Sequence, residues 1–261
     1  MSTELDPFPR KPVNLAPLWV SALAAVFVLA TRDLEIDFEA LLWGVSDMAE
    51  YIGRFGAPDF TRFDRYVMLM LETLAMALWG TALAFVGAFI LAPFAARNLS
   101  PHPLAYRISR EILNFLRAMP DLLLAVFFVA AIGLGPLPGV LAIGLHVTGF
   151  LGKVFAENLE RVNRGVYEGV RASGATFPQI VMWAGWPSTL QETVGYTVYI
   201  IDRNVRMAAI LGLVGAGGIG FELTAALRLF QYRQAAALIL LVVVTVLAID
   251  YLSSWARRRV R

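Results

Sequence analysis

The sequence predicts an all-α integral membrane protein with about six transmembrane helices. Of its 261 residues, 58% are hydrophobic and only 16% are charged, whereas a soluble domain carries about 25% charged residues. Mean hydropathy is +0.65. Apolar runs long enough to cross or nearly cross a bilayer recur along the chain. Basic residues gather between these runs and at the ends, a pattern typical of membrane orientation rather than of nucleic-acid binding.

Six apolar runs define the predicted spans. They are 15–30, 66–96, 112–134, 140–155, 189–214 and 235–255. The first is short but lacks the small-residue cleavage site of a signal peptide, so we expect it to be retained, and the sequence leaves open whether it crosses fully. Pro120 interrupts the third run. With the N-terminus inside, six crossings also put the C-terminal arginines inside, which is the N-in/C-in arrangement that the loop charges favour.

Several kinds of chemistry are excluded or disfavoured by the residue content. There are no cysteines, which excludes disulfides and thiolate sites, and the two histidines, His102 and His146, are too far apart to suggest a metal site. Residues 215–220 fit G-x-G-x-x-G by letter, but an apolar span precedes them where a dinucleotide fold needs a strand. We interpret them as a turn that returns toward the bilayer. No phosphate-binding loop motif or hydrolase motif is present, so we do not expect an enzyme.

A polar segment at 166–187 separates two pairs of apolar runs. Its pattern predicts a helix, a break and a second helix. Gly174 can adopt the positive φ that ends a helix, and Pro178 suits the first turn of the next. Pro187 limits that second helix or begins the following span. A short hinged helix pair between spans indicates a docking surface.

The spacing in this segment resembles the cytoplasmic coupling loop of ABC-importer permeases, called the EAA loop. That pattern is E-A-A-x-x-x-G, nine residues, then I-x-L-P. Glu168, Gly174 and Pro187 fall in register with its Glu, Gly and Pro. The two Ala positions are occupied by Gly169 and Val170, and the I and L positions hold Ala and Trp.

Four further motifs resemble the permease subunit of phosphonate ABC importers. They are R-A-M-P at 117–120, G-L-G-P at 133–136 with G-V-L-A at 139–142, E-G-V-R-A-S-G-A at 168–175 and the glycine-rich run 204–220. The similarity extends from about Asp59 to the C-terminus. In that family Glu-Gly is usual where other permeases have Glu-Ala. The methionine-importer class shares the glycine-rich run, so that run alone does not identify the substrate.

The resemblance implies a type I ABC importer permease in a bacterial cytoplasmic (inner) membrane, moving phosphonate, phosphite or a related phosphorus oxyanion inward. It implies a homodimer with a second copy of the chain, a cytoplasmic ATPase dimer on the coupling loops and an extracytoplasmic phosphonate-binding protein. ATP and Mg would bind the ATPase, and we expect this chain to bind no cofactor and no nucleic acid. The alternatives are a permease for another solute, such as methionine or phosphate, a secondary transporter and an intramembrane enzyme.

The implied domain organisation has three parts. Residues 1–65 would hold the first span and an outer amphipathic surface helix, since apolar residues recur at helical spacing between Phe38 and Ile52. Residues 66–256 would form the permease core, with the coupling loop at about 160–187. Residues 257–261 would be a basic cytoplasmic tail.

Two groups of candidate site residues follow. The ATPase-coupling group is Glu168, Arg171, Ala172, Gly174 and Pro187. The group for the translocation path or its gate is Arg117, Arg203, Asn204, Arg206, Gly215, Gly217, Gly218 and Gly220.

Spacing predicts how some of these charges pair. Glu168 and Arg171 are three apart and can pair on one helix face, and Asp202 and Arg206 are four apart. Arg203 lies off the second pair. Either Arg203 or Arg206 faces the path, or the pair is self-neutralised and Arg203 bonds to carbonyls.

Overall fold

The computed structural model describes residues 15–33 and 38–260, and every regular element within those ranges is a helix. The chain divides into two compact units, Met1–Gly53 and Arg54–Arg261. The all-helical prediction is confirmed over the described ranges.

The first unit contains α1, Ala16–Asp33, and most of α2, Phe38–Phe55. The apolar part of α1, Ala16–Thr31, is shorter than the helices that could cross a membrane unaided, since a crossing takes about 20 residues. On α2, the exposed side chains of Val45, Met48 and Ile52 lie on one face, as helical spacing requires. A position for α2 on the membrane surface stays a prediction.

Three helices in the described residues are long and apolar enough to cross a membrane: α3 at Phe63–Ala95, α6 at Pro136–Arg161, and the part Tyr232–Trp255 of α11, which runs Tyr232–Val260. Two bent helix pairs raise the number to five if each pair is one span. The described residues thus give three to five spans by length and composition, where about six were predicted. If each bent pair is one span, the short run at 15–30 is the difference between five and six. The N-in/C-in orientation stays a prediction.

The first bent pair covers the third span expected at 112–134, and its break lies at Pro120, where the sequence predicts an interruption. Its helices are α4, Pro103–Ala118, and α5, Asp121–Ile132, and they meet at 86°. Pro120 forces the preceding Met119 out of the helical region, to φ −73° and ψ 119°, because the proline ring clashes with a helical residue before it. With 12 residues, α5 is about 18 Å long, well short of a bilayer core of about 30 Å.

The second bent pair consists of Phe177–Val214 and Gly218–Arg228, and it begins before the fifth span predicted at 189–214. Helix α7, Arg164–Ala172, is followed by α8, Phe177–Ile180, which passes through a π-helical turn, Val181–Gly185, into α9, Trp186–Leu211. Pro187 therefore lies inside a continuous helical run. Its missing N–H falls in the first turn of α9, directly after the wider π-turn, so the chain continues without a break. A short 3-10 turn, Gly212–Val214, then leads to α10, Gly218–Arg228, at 43°.

Helix α6 is the centre of the second unit, packing against α3, α4, α5 and α9. Helix α4 approaches α6 closely at Gly149, where an added Cβ would lie 2.7 Å from the Leu113 carbonyl oxygen. Small residues at such positions let helix backbones pack closely in lipid. At the end of α6 near α7, which we call the loop end, Glu160 accepts from Arg110 Nη2 and from the Arg97 N–H, both at 2.8 Å. At the other end, the turn end, the Gly135 N–H donates to the Gly215 carbonyl at 3.1 Å.

Candidate coupling loop and translocation path

Helix α7 forms the first part of the candidate coupling loop. The Asn163 side chain caps it by accepting the Gly165 N–H at 2.9 Å, an arrangement that satisfies one of the free donors at a helix start. The helix ends at Ala172, and two residues later Gly174 has a φ of +79°, so the positive φ expected from the sequence is confirmed. A Cβ at this glycine would meet no atom within 4 Å, and the constraint there is therefore on backbone conformation alone.

Tyr167 anchors α7 to the membrane helices. Its side chain is only 3% exposed, and its hydroxyl donates to the Leu159 carbonyl near the end of α6 at 2.8 Å. Burial raises the pKa of Tyr167 to about 12, because a desolvated phenolate is disfavoured. Tyr167 is not among the residues predicted from the sequence. The apolar pair Tyr167 and Val170, three apart and therefore on one face of α7, was the available signal.

The predicted ion pair between Glu168 and Arg171 does not form. Arg171 instead reaches across to the Asn98 carbonyl, with Nη2 at 3.4 Å. The Glu168 side chain has no hydrogen-bond or ion-pair partner within 15–33 and 38–260. Both residues are exposed, as are Ala172 and Gly174, so this face of α7 is open to a partner.

The π-helical turn divides two tryptophans between surface and core. Trp183 is 76% exposed, whereas Trp186 is 7% exposed and stacks on Phe89 of α3 with ring centroids 4.3 Å apart. Stacked aromatic rings of this kind favour a fixed helix position. The exposed Pro187 follows Trp186 directly. The candidate coupling residues thus lie on a segment fixed by Tyr167 at one end and by Trp186 at the other.

On α9, the predicted pair of Asp202 and Arg206 is present. Two hydrogen bonds join the carboxylate and the guanidinium, at 3.1 and 2.9 Å. The Asp202 side chain is 5% exposed and that of Arg206 is 43% exposed. A two-pronged contact of this kind neutralises both charges on one helix face.

Arg203 forms no such ion pair in the described ranges, and its guanidinium instead lies beside the ring of Phe150 on α6. Its Cζ atom lies 5.9 Å from the centroid of the Phe150 ring, and the Cζ atom of Arg117 at the end of α4 lies at the same distance. Neither arginine has an ion-pair partner in the described ranges. The structure therefore brings two sequence-predicted arginines together around an aromatic residue that the sequence argument did not select.

Asn204 lies in a helix interface rather than on an open face. It is 1% exposed, and its Nδ2 donates to Thr81 Oγ1 of α3 at 2.8 Å. Thr81 in turn donates to the Ala77 carbonyl at 2.6 Å. A buried hydrogen bond of this kind between two helices fixes the register of α9 on α3.

The glycine-rich turn is packed into the fold. Gly215, Gly217 and Gly218 have φ values of 97°, 81° and 66°, which side chains with a Cβ rarely adopt. Ala216 between them is fully buried. A Cβ at Gly220 would overlap the Ala209 carbonyl oxygen, so α10 returns directly against α9.

Glu72 of α3 closes this turn and was not among the predicted residues. Its Oε1 accepts the Gly218 N–H at 3.1 Å, and the neighbouring Thr73 Oγ1 accepts the Ile219 N–H at 2.9 Å. Side chains from α3 therefore satisfy the free donors at the start of α10, where a carboxylate is also favoured by the helix dipole. An acid inside a long apolar helix is the signal that would have identified it. The described part of the chain contains no cluster of three or more acids or histidines that could hold a metal ion.

Comparison with known proteins identifies the family. Residues 84–261 match the family described as binding-protein-dependent transport system inner membrane component. The phosphite transport system permease protein PtxC of Stutzerimonas stutzeri is 41% identical over 223 residues, which cover 85% of this chain and 81% of that protein. The phosphate-import permease protein PhnE of Mycolicibacterium smegmatis is 42% identical over 85% of this chain, which spans only 42% of that longer protein.

Solved structures show the same fold. A chain of the MetNI methionine ABC transporter in inward-facing conformations superposes with a TM-score of 0.63 at 24% identity, covering 75% of this chain and 95% of that one. A bacterial ABC transporter for the acidic polysaccharide alginate gives a TM-score of 0.58 at 16% identity, covering 93% and 99%. The chain therefore belongs to the inner-membrane components of binding-protein-dependent transport systems, with the fold of an ABC importer permease.

Proposed function

We propose that this permease moves a phosphorus oxyanion, such as phosphonate or phosphite, into the cytoplasm. The observation that carries the proposal is the 41% identity to a phosphite permease over most of both chains. The two arginines beside Phe150 supply the positive charge that a passing oxyanion needs. Guanidinium groups suit such a substrate because their planar donors match oxyanion geometry.

Energy would come from ATP hydrolysis on a separate ATPase that docks on residues 160–187. The exposed face of α7, with its unpaired Glu168, supports this role, and the anchors at Tyr167 and Trp186 would pass its movement to α6 and α9. This chain would bind no cofactor itself, with ATP and Mg held by the ATPase.

The working assembly would contain two copies of the chain, an ATPase dimer and an extracytoplasmic phosphonate-binding protein. One copy supplies three to five spans in its described part, and closed two-fold pairing is the commonest way for a chain to complete a shared path. Helix α5 supports such pairing, since Leu123 and Phe127 are 59% and 64% exposed on a helix too short to cross alone.

Uptake by cells tests the substrate. A strain lacking its own phosphite and phosphonate uptake would express this permease together with the ATPase and binding protein of its transport system. We expect accumulation of labelled phosphite or methylphosphonate, suppressed by an excess of either unlabelled anion. Accumulation of methionine, with neither phosphorus anion taken up or competing, would contradict the proposal.

A further inference from the structure

A polar stripe runs along α4 and ends at Arg117. Arg107, Glu111, Asn114 and Arg117 are four, three and three residues apart, and all four are exposed. Such intervals place side chains on one helix face. The stripe begins near the loop end, where the neighbouring Arg110 bonds to Glu160. A charged face on a helix of a membrane protein is costly against lipid and stable against water.

A second stripe runs along α9 and ends at Arg203. Glu192, Tyr196, Tyr199 and Arg203 are four, three and four residues apart. Tyr196 and Tyr199 are 39% and 45% exposed, and Arg203 is half-buried. This face also combines charges with hydroxyl donors rather than purely apolar groups.

The two stripes meet at Phe150. The Cζ atoms of Arg117 and Arg203 each lie 5.9 Å from its ring centroid, so twice that distance is the upper limit of their separation. The ring attracts both cations through its quadrupole. Because a ring face takes up few of the five N–H donors of a guanidinium, most of them stay available to a third group.

We propose that Arg117, Phe150 and Arg203 form an oxyanion-contact site on a water-lined path along α4 and α9. This deepens the proposed function and rests on it. Two guanidinium cations beside the same ring repel each other, and an anion that contacts both offsets that repulsion. Arg206 does not belong to the site, since Asp202 already occupies its guanidinium with two hydrogen bonds. Phe150 positions the two arginines.

Charge at the site is tested with a single-cysteine reporter, which is straightforward because the chain has no cysteines. Asn114→Cys, one turn from Arg117, would be labelled in the assembled transporter at low salt with an anionic and a cationic thiosulfonate reagent. We expect Arg117→Gln to lower the ratio of anionic to cationic labelling rates about fivefold, and Arg203→Gln to lower it about twofold. The matched control is the charge-neutral pair Asp202→Asn with Arg206→Gln, which should leave the ratio unchanged. An unchanged ratio in Arg203→Gln would overturn a shared site.

Transport is tested with the same variants in the complete transporter. We expect Arg117→Gln with Arg203→Gln to lower uptake of the wild-type substrate at least tenfold while ATP hydrolysis stimulated by the loaded binding protein persists. The Asp202→Asn, Arg206→Gln pair should keep uptake within about twofold of wild type. Normal uptake by the first pair would overturn the site. A wild-type transporter that carries only methionine would instead contradict the proposed substrate, and the labelling ratio would still report the charge at this site.

Discussion

At the scale of single residues, Gly174 and Gly169 form a matched pair for testing the coupling loop. A Cβ at either position meets no atom within 4 Å, but only Gly174 has a positive φ, +79°. Gly174→Ala should therefore destabilise the loop by about 1 kcal/mol, whereas Gly169→Ala within α7 should be neutral or stabilising. The measurement is uptake and coupled ATP hydrolysis at equal membrane levels of protein. Equal activity in the two variants would count against a role for the turn.

Gly220 gives a second contrast, this time of close packing. A Cβ there would overlap the Ala209 carbonyl oxygen, and backbone atoms cannot move aside as side chains do. At Gly195, which lies on α9 as Ala209 does, a Cβ would meet nothing within 4 Å. Gly220→Ala should cost about 1–3 kcal/mol and lower the unfolding temperature in detergent, with Gly195→Ala close to wild type. Equal unfolding temperatures would show that α10 does not pack on α9 in this way.

Residue-scale features were predictable where they depend on neighbours in sequence. The positive φ of Gly174 and the pairing of Asp202 with Arg206 both follow from spacing within one or two turns. The pair expected between Glu168 and Arg171 failed because a more distant acceptor, the Asn98 carbonyl, lies within reach of Arg171. Phe150 was missed for the same reason, since its arginine partners come from two other helices.

At the scale of elements, the attachment of α7 should depend on pH through Tyr167. Its pKa is raised to about 12 from the ordinary 10.0. An acid whose pKa is higher in the docked state stabilises docking fully below pH 10 and loses that contribution as pH rises from 10 to 12. Tyr167→Phe should weaken docking by about 1 kcal/mol at neutral pH and remove this pH dependence.

Dye anisotropy at Ser173→Cys would follow the mobility of the α7 end. The control is Tyr251→Phe, which alters a tyrosine that is 76% exposed and should leave the profile unchanged. If the Tyr167→Phe variant showed the same rise in mobility between pH 10 and 12 as the wild type, Tyr167 would be ruled out as the cause.

The link between Glu72 and the glycine turn is testable through Ala216, which is fully buried. Ala216→Cys should react slowly with thiol reagents in the resting transporter. Adding Glu72→Ala removes the acceptor of the Gly218 N–H and should raise the labelling rate about tenfold, consistent with an opening cost lowered by 1–2 kcal/mol. Glu72→Gln keeps an oxygen acceptor and should stay near the wild-type rate. Fast labelling of Ala216→Cys with Glu72 intact would show that the turn is an open surface loop.

Helix bends are harder to predict from sequence than helix positions. The apolar runs predicted the positions of α3, α6 and α11, because hydrophobic content is a property of the run itself. The 86° angle at Pro120 and the π-helical turn before Pro187 were not foreseen. A proline predicts a local change in helix geometry. The residues packed around it determine whether the helix kinks, bends sharply or continues.

At the scale of the whole molecule, the family and fold could be predicted because motifs along most of the chain agree with one architecture. The matched region begins at residue 84 and includes the candidate coupling loop, both arginines of the proposed oxyanion-contact site and the glycine turn. The N-in/C-in orientation and the homodimer depend on the bilayer and on a second chain. They stay predictions that follow from the loop charges and from symmetry.

Transport in a defined system tests the central claim most directly. The permease would be reconstituted into proteoliposomes with the ATPase and binding protein of its transport system, and labelled phosphite, methylphosphonate and methionine would be offered in turn. The account predicts accumulation of a phosphorus oxyanion that requires ATP on the ATPase side and at least a tenfold loss with Arg117→Gln and Arg203→Gln together. Uptake that persists without ATP, or uptake of methionine alone, would contradict it.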